Sequence, residues 1–395
     1  MATCGKGPMF LKAVNCFGQV KDKFFIVNLM KEEIDEVGHQ NMVQIVTDNA
    51  TNCKGVGEII ESMHPHIYLT PCVVHTLNHA LKNIYAAKNI VDSEETFELC
   101  NWITDIPGDA IQIKNFIVNH NMRLAIFNRF TPLRLLSVAN TCFASTIAVL
   151  KKFKLIERDY IIDFTRPIYD MSRVCDTDRS CLHLVYEMWD SMIEKVKLEI
   201  YKKEKHSRSQ NCPFYDTIYQ VLIARWTKSY TSLHCLAHSL NPRYYSDGWL
   251  HEDHSRVASH RDVEISCPFE DPTSLSNRYS LDPRNWWANF GVETPFLQSM
   301  AFKLLRQPTS SSCCERNWST YSFIHLFRRN RLNPSCAKDL VYILNNLSLL
   351  SRNSDQYENE KTKMWDVGGD AFDSMDDVGF LVFAKLSPDE PELEN

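Results

Sequence analysis

Apolar residues recur at helical spacing from Asp22 to Val37, where Phe25, Ile26, Leu29, Met30, Ile34 and Val37 line one face and Gly38 supplies a stop. Upstream, Pro8 to Asn15 reads as a strand following a Gly-Lys-Gly turn, with no evident hairpin partner. Downstream, Met42 to Thr47 is a short apolar run that ends at Asp48. A strand, a crossover helix and a second buried strand predict an α/β sheet. Beyond Asp48 the spacing turns helical: Asn52 to Met63, then Val73 to Ile84 after the short stretch Ile67 to Cys72, then Phe143 to Phe153 and Cys181 to Ile200. A polar break follows at 202–211. Residues 245–285 are rich in His, Asp, Ser and Pro without sustained periodicity, which predicts an irregular loop from which order returns at Trp286-Trp287. Three further helices are expected at 295–305, 313–326 and 336–350, the last strongly apolar.

Charge divides this pattern unevenly. The 395-residue chain carries a formal net charge of −6, but from Asp355 onward twelve acids face three lysines. The preceding residues hold 40 Lys+Arg against 37 acids, a net of +3, so a mildly basic body compatible with DNA precedes an acidic tail expected to be disordered. The 14 cysteines are scattered and partly within apolar runs, with no secretory signal ahead of them, which fits a reducing compartment. No apolar run approaches the roughly 18–20 residues of a membrane span, so a soluble intracellular protein is expected.

Three constellations carry candidate chemistry. Asp48 stands at the carboxyl end of a predicted strand, where open α/β sheets place catalytic groups, although the same residue can cap the following helix. Cys72, His75 and His79 fall at i, i+3 and i+7, the spacing of an open zinc site, yet no fourth ligand is evident. The same helix carries Val74, Leu77 and Leu81, which favours packing and hydrogen bonding for the three. His251-Glu-Asp-His254 lacks the interior spacing of the His-Glu-x-x-His signature. Finally, Ser310 to Ser319 contains a serine-rich helix start followed by Glu315, Arg316 and Trp318, a cap with an acid near the positive end of the helix.

Together these segments resemble the hAT (hobo/Activator-type) transposases and their domesticated relatives, notably plant-type proteins that join an uncharacterised transposase-like domain to a C-terminal dimerisation region. Val46 to Gly55 and Pro71 to Leu81 are similar to the first; Trp286-Trp287, Pro295 to Leu305, Ser310 to Ser319, Arg328 to Leu332 and Leu340 to Leu347 are similar to the second. The resemblance implies an RNase H-like sheet, truncated at its N-terminus, interrupted by a large helical insertion and followed by a helical dimerisation region. The corresponding division is residues 1–92, 93–284, 285–352 and an acidic tail at 353–395.

In that family two Asp and one Glu bind divalent ions for DNA strand cleavage and transfer, because two ions about 4 Å apart activate the attacking oxygen and stabilise the leaving one. The resemblance assigns Asp48 as the second acid and Glu315 as the third, with Cys72, His75 and Trp318 as motif residues. The first acid would lie upstream of the strand matched by Met9 to Val14, where no residue stands, and the family's N-terminal zinc finger is also missing. Cys142 occupies a position where related sequences tend to have Arg. The expectation is a non-catalytic, domesticated or truncated transposase-like protein in the nucleus. It would dimerise with itself or another hAT-type protein through Trp286, Trp287, Leu340, Ile343, Leu344 and Leu347, and contact DNA. No cofactor is expected, with Mg²⁺ or Mn²⁺ at Asp48 and Glu315 only in an active DDE-type enzyme, the alternative; a zinc module is a distant third.

Overall fold

A computed structural model describes residues 1–4, 7–14, 16, 19–48, 50–85, 100, 102–103, 112, 116–117, 119–130, 156–177, 180–207, 210–244, 272–314 and 334–351. Among them the chain is mostly helical with four short strands. Strand β1 (Ala2–Cys4) pairs antiparallel with β2 (Gly7–Met9), and β3 (Gln44–Thr47) pairs parallel with β4 (Tyr68–Pro71). The described strands thus form two two-stranded sheets and do not extend to a larger RNase H-like sheet.

Between the sheets lies α1 (Lys23–Val37), begun where Asp22 Oδ1 accepts from the Phe25 amide at 2.8 Å and stopped at Gly38, whose φ of 85° suits glycine. Helix α2 (Thr51–Met63) then connects β3 to β4, since parallel neighbours need a crossover. Val27, Ile34, Val56, Ile60 and Ile67 form the small core of this unit. Gly57 lets α2 lie close on β4, for a Cβ there would meet Leu69 Cδ2 at 2.9 Å.

The main core lies among α3 (Val73–Tyr85), α5 (Ile156–Cys175), α6 (Val185–Glu204) and α7 (Pro213–Ser229). Helix α4 (Asn121–Phe130) precedes them in the chain. Trp189 stacks on Trp226 with ring centroids 4.9 Å apart. A second core joins α8 (Ser232–Ser239), α10 (Pro283–Phe290) and α11 (Pro295–Leu304) with Leu182, so the helical middle of the chain and its C-terminal part share buried surface. The last helix, α12 (Pro334–Ser351), meets the N-terminal hairpin through Phe10, Val341 and Leu349.

Three expectations are corrected here. Strand structure at Pro8 to Asn15 stops at Met9, because Phe10 turns onto α12: its amide donates to Asn346 Oδ1 at 3.0 Å and its carbonyl accepts from Asn346 Nδ2 at 3.1 Å. The hairpin partner that seemed missing is Ala2–Cys4. The irregular stretch at 245–285 contains α9 (Pro272–Asn277) and the start of α10, both too short to show a period; α10 is announced instead by Pro283 and by Asp282, which accepts from the Arg284 amide at 3.0 Å. The expected helices at 143–153 and beyond residue 314 up to 326, and the acidic tail, lie outside the described residues.

Candidate functional site

The carboxyl ends of β3 and β4 and the start of α3 meet the serine-rich segment. Beyond the register pair Thr47–Pro71, the Cys72 amide donates to Thr47 O at 2.8 Å, and the Val73 amide donates to Thr309 O at 2.9 Å. Gln44 Nε2 donates to Pro308 O at 2.7 Å while the Leu182 amide donates to Gln307 O at 3.2 Å. Residues 307–312 are therefore threaded between the 180–182 turn and the β3–β4 pair. Ser310 and Ser312 hydroxyls are hydrogen-bonded to each other, and a helical turn begins at 312–314.

Asp48 is exposed at the end of β3, and its Oδ1 accepts from the Cys53 thiol at 3.5 Å. It does not cap α2, whose N-cap is Ala50 without a side-chain bond. Burial and then the Asp48 charge push the Cys53 thiol up to about 11, so it stays protonated and able to donate. Glu315 and Trp318, like His251 and His254, lie outside the described residues. What the structure does place is the segment leading into Glu315, at the carboxyl ends of the same two strands that end beside Asp48.

Cys72 does not join the two histidines. It is fully buried just before α3, within 3.5 Å of Ser310 Oγ and accepting from the Ser311 amide at 3.4 Å. Burial raises its thiol pKa. His75 and His79 are half-buried on the helix with ring centroids 5.4 Å apart. Burial first, then His75, Arg225 and Lys82, push His79 down to about 4, with Asp48 pulling the other way. His79 is thus within electrostatic reach of His75, Arg225, Lys82 and Asp48, and Arg225 Nη2 donates to Asn83 Oδ1 at 3.1 Å. Arg225 and Asn83 drew no notice in the sequence because they lie 142 positions apart on separate helices. Among the described residues, no three His, Cys, Asp or Glu side chains are placed to hold a metal ion.

The residues expected at a dimer interface divide by burial. Trp286 and Trp287 are each 1% exposed, with indoles donating to Ser274 O at 2.8 Å and Leu240 O at 2.7 Å, so they build the second core and present no surface to a partner. Helix α12 instead buries Val341 and Leu349 against the N-terminal segment and leaves Tyr342, Ile343, Leu344, Leu347 and Leu350 exposed. Leu340 is partly buried against Phe10's cluster. Ile343, Leu347 and Leu350 recur at helical spacing, so one apolar stripe faces out while the opposite stripe is used within the chain. No helix among the described residues is long and apolar enough to cross a membrane.

Residues 1–113 match the model of a domain of unknown function, DUF659, and residues 267–347 match the hAT family C-terminal dimerisation region. No curated protein matches the chain.

Proposed function

We propose that this chain, a hAT-family transposase-like protein by the two segments it matches, is a non-catalytic, domesticated relative. In this reading it dimerises through α12 and contacts DNA in the nucleus. The observation that carries the reading is the outward stripe of Ile343 and Leu347, within the matched dimerisation region, continued by Leu350 just beyond it. Burial of such a stripe against a second copy removes apolar surface from water, and a two-fold arrangement presents the same face on both sides. Lys82 and Arg225, both within electrostatic reach of His79, support contact with a phosphate backbone.

The non-catalytic part rests on where the N-terminal segment goes. The described strands pair as two separate two-stranded sheets, and Phe10, just after β2, is committed to Asn346 of α12. Asp48 accepts from Cys53. The enzyme alternative draws on one contact, the Val73 to Thr309 hydrogen bond, which brings the run into Glu315 near the strand that ends at Asp48.

The test is a cleavage assay on labelled duplex DNA with Mg²⁺ or Mn²⁺, comparing the chain with Asp48→Asn. Equal, background-level products are expected, since two-ion chemistry needs a complete set of carboxylates to position nucleophile and leaving group. Metal-dependent cleavage that disappears in Asp48→Asn would establish the DDE-type enzyme instead.

A further inference from the structure

The amino ends of β3 and β4, opposite the ends beside Asp48, carry a group of side chains that the site described above does not use. His39 opens the 3₁₀ turn His39–Asn41 that leads into β3, and His64 and His66 lie in the turn that leads into β4. Because the two strands are parallel, both turns lie at one edge. Three imidazoles meet there. Ring centroids are 5.2 Å apart for His39 and His64, 5.5 Å for His39 and His66, and 6.1 Å for His64 and His66. His39 and His66 are exposed and His64 is half-buried.

Imidazole nitrogen suits borderline divalent ions such as Zn²⁺. A Zn–N bond of about 2.1 Å puts each ring centroid about 3.2 Å from the ion, so tetrahedrally placed imidazoles have centroids about 5 Å apart. All three observed separations come within about 1 Å of that spacing. His66 is already set for the role: its Nε2 lies 2.9 Å from His39 O, and a carbonyl only accepts, so Nε2 carries the proton and Nδ1 the lone pair. A ligating imidazole commonly donates its other N–H to a backbone carbonyl in this way. The surroundings favour a cation as well. Helix α1 ends at Val37 and α2 at Met63, with His39 and His64 just beyond them, and neither helix has a basic residue in its last turn to complement its negative end.

We propose that His39, His64 and His66 bind one Zn²⁺ ion that ties the end of α1 to the end of α2. As the rings stand, His39 is stacked on His64 and the nitrogens do not converge to hold an ion. Among the described residues no hydrogen bond fixes the ring of His39 or His64. Rotation about their side-chain bonds, a fast motion at a protein surface, turns a nitrogen of each toward His66 Nδ1. The backbone beneath is held meanwhile by the β3–β4 pairing, by the Tyr68 amide on Val43 O at 2.9 Å, and by the Ile67 amide on His64 O at 2.9 Å. Three protein ligands leave the fourth position to water. The ion binds only where both turns are in place, so it stabilises the folded unit that contains them.

The test is titration of the full chain with Zn²⁺ alone, read by calorimetry and by thermal melting. One ion per chain should bind at this group and raise the melting temperature. His39→Ala, His64→Ala and His66→Ala should each weaken that binding by about tenfold or more and cancel the rise in melting temperature. His66→Gln keeps a donor for His39 O, so it should fold like the parent chain and still lose the ion. His120→Ala, outside the group, should leave binding unchanged. Co²⁺ in place of Zn²⁺ should show no sulfur-to-metal charge transfer, which separates the site from the cysteines of the chain, and ¹⁵N spectra of the histidine rings should place the metal on His66 Nδ1. Absence of stoichiometric binding, binding that survives His66→Gln, or coordination through His66 Nε2 overturns the proposal.

Discussion

Replacing Ile343 and Leu347 together by Gln separates association from folding. The two side chains are 50% and 57% exposed, so each offers about half its surface to a partner. Full burial of one such side chain stabilises by about 2 kcal/mol, which makes the two exposed halves worth about 2 kcal/mol per protomer and about 4 kcal/mol across a two-fold interface. At 1.4 kcal/mol per decade, the dimer dissociation constant should rise by about a thousandfold. Gln keeps nearly the helix propensity of these positions and adds no charge, so α12 itself should persist. Sedimentation equilibrium over a wide concentration range measures the constant, and circular dichroism with thermal melting reports the protomer. The contrast is Val341→Ala, at a site 2% exposed beneath the N-terminal segment, which should lower the melting temperature before it changes association. A dissociation constant altered by less than about threefold in the double Gln variant, with the fold intact, places the interface elsewhere and refutes the reasoning.

Two other outcomes follow from the cores. Burial pushes the His234 imidazole down to about 4, whereas in the unfolded chain it titrates near its ordinary 6.5. The unfolded state thus binds the extra proton first, and stability held above about pH 6.5 declines as the pH falls toward 4, by roughly 3 kcal/mol in full. His234→Gln keeps an acceptor for the Thr231 amide and should flatten that decline in denaturant titrations run at successive pH values. Gly57→Val should destabilise by about 1–3 kcal/mol, as its side chain would run into Leu69 where α2 crosses β4, and the urea midpoint measures it.

Local signals carried much of this architecture. The Asp22 cap and the Gly38 stop bound α1 because capping needs only residues within a few positions, and the apolar run into Thr47 announced β3 by composition alone. The last helix was visible in its apolar positions Val341, Ile343, Leu344, Leu347 and Leu350, and the family resemblance in motifs at both ends of the chain. Strand β4 was not assigned as a strand, since four residues between Ile67 and Cys72 hold no period and become a strand only by pairing with β3. Periodicity likewise counts apolar residues without saying what covers them. Val341 and Ile343 look alike in the sequence, but Phe10, 331 positions before Val341, covers one and leaves the other in water. Trp286 and Trp287 resemble interface anchors until Ser274 and Leu240 accept their indole protons inside the fold. The thiol contacts at 309–310 belong wholly to tertiary structure: Cys72 and Cys181 come from separate parts of the chain, and only packing on one short segment brings Cys181 to Thr309 and Cys72 to Ser310.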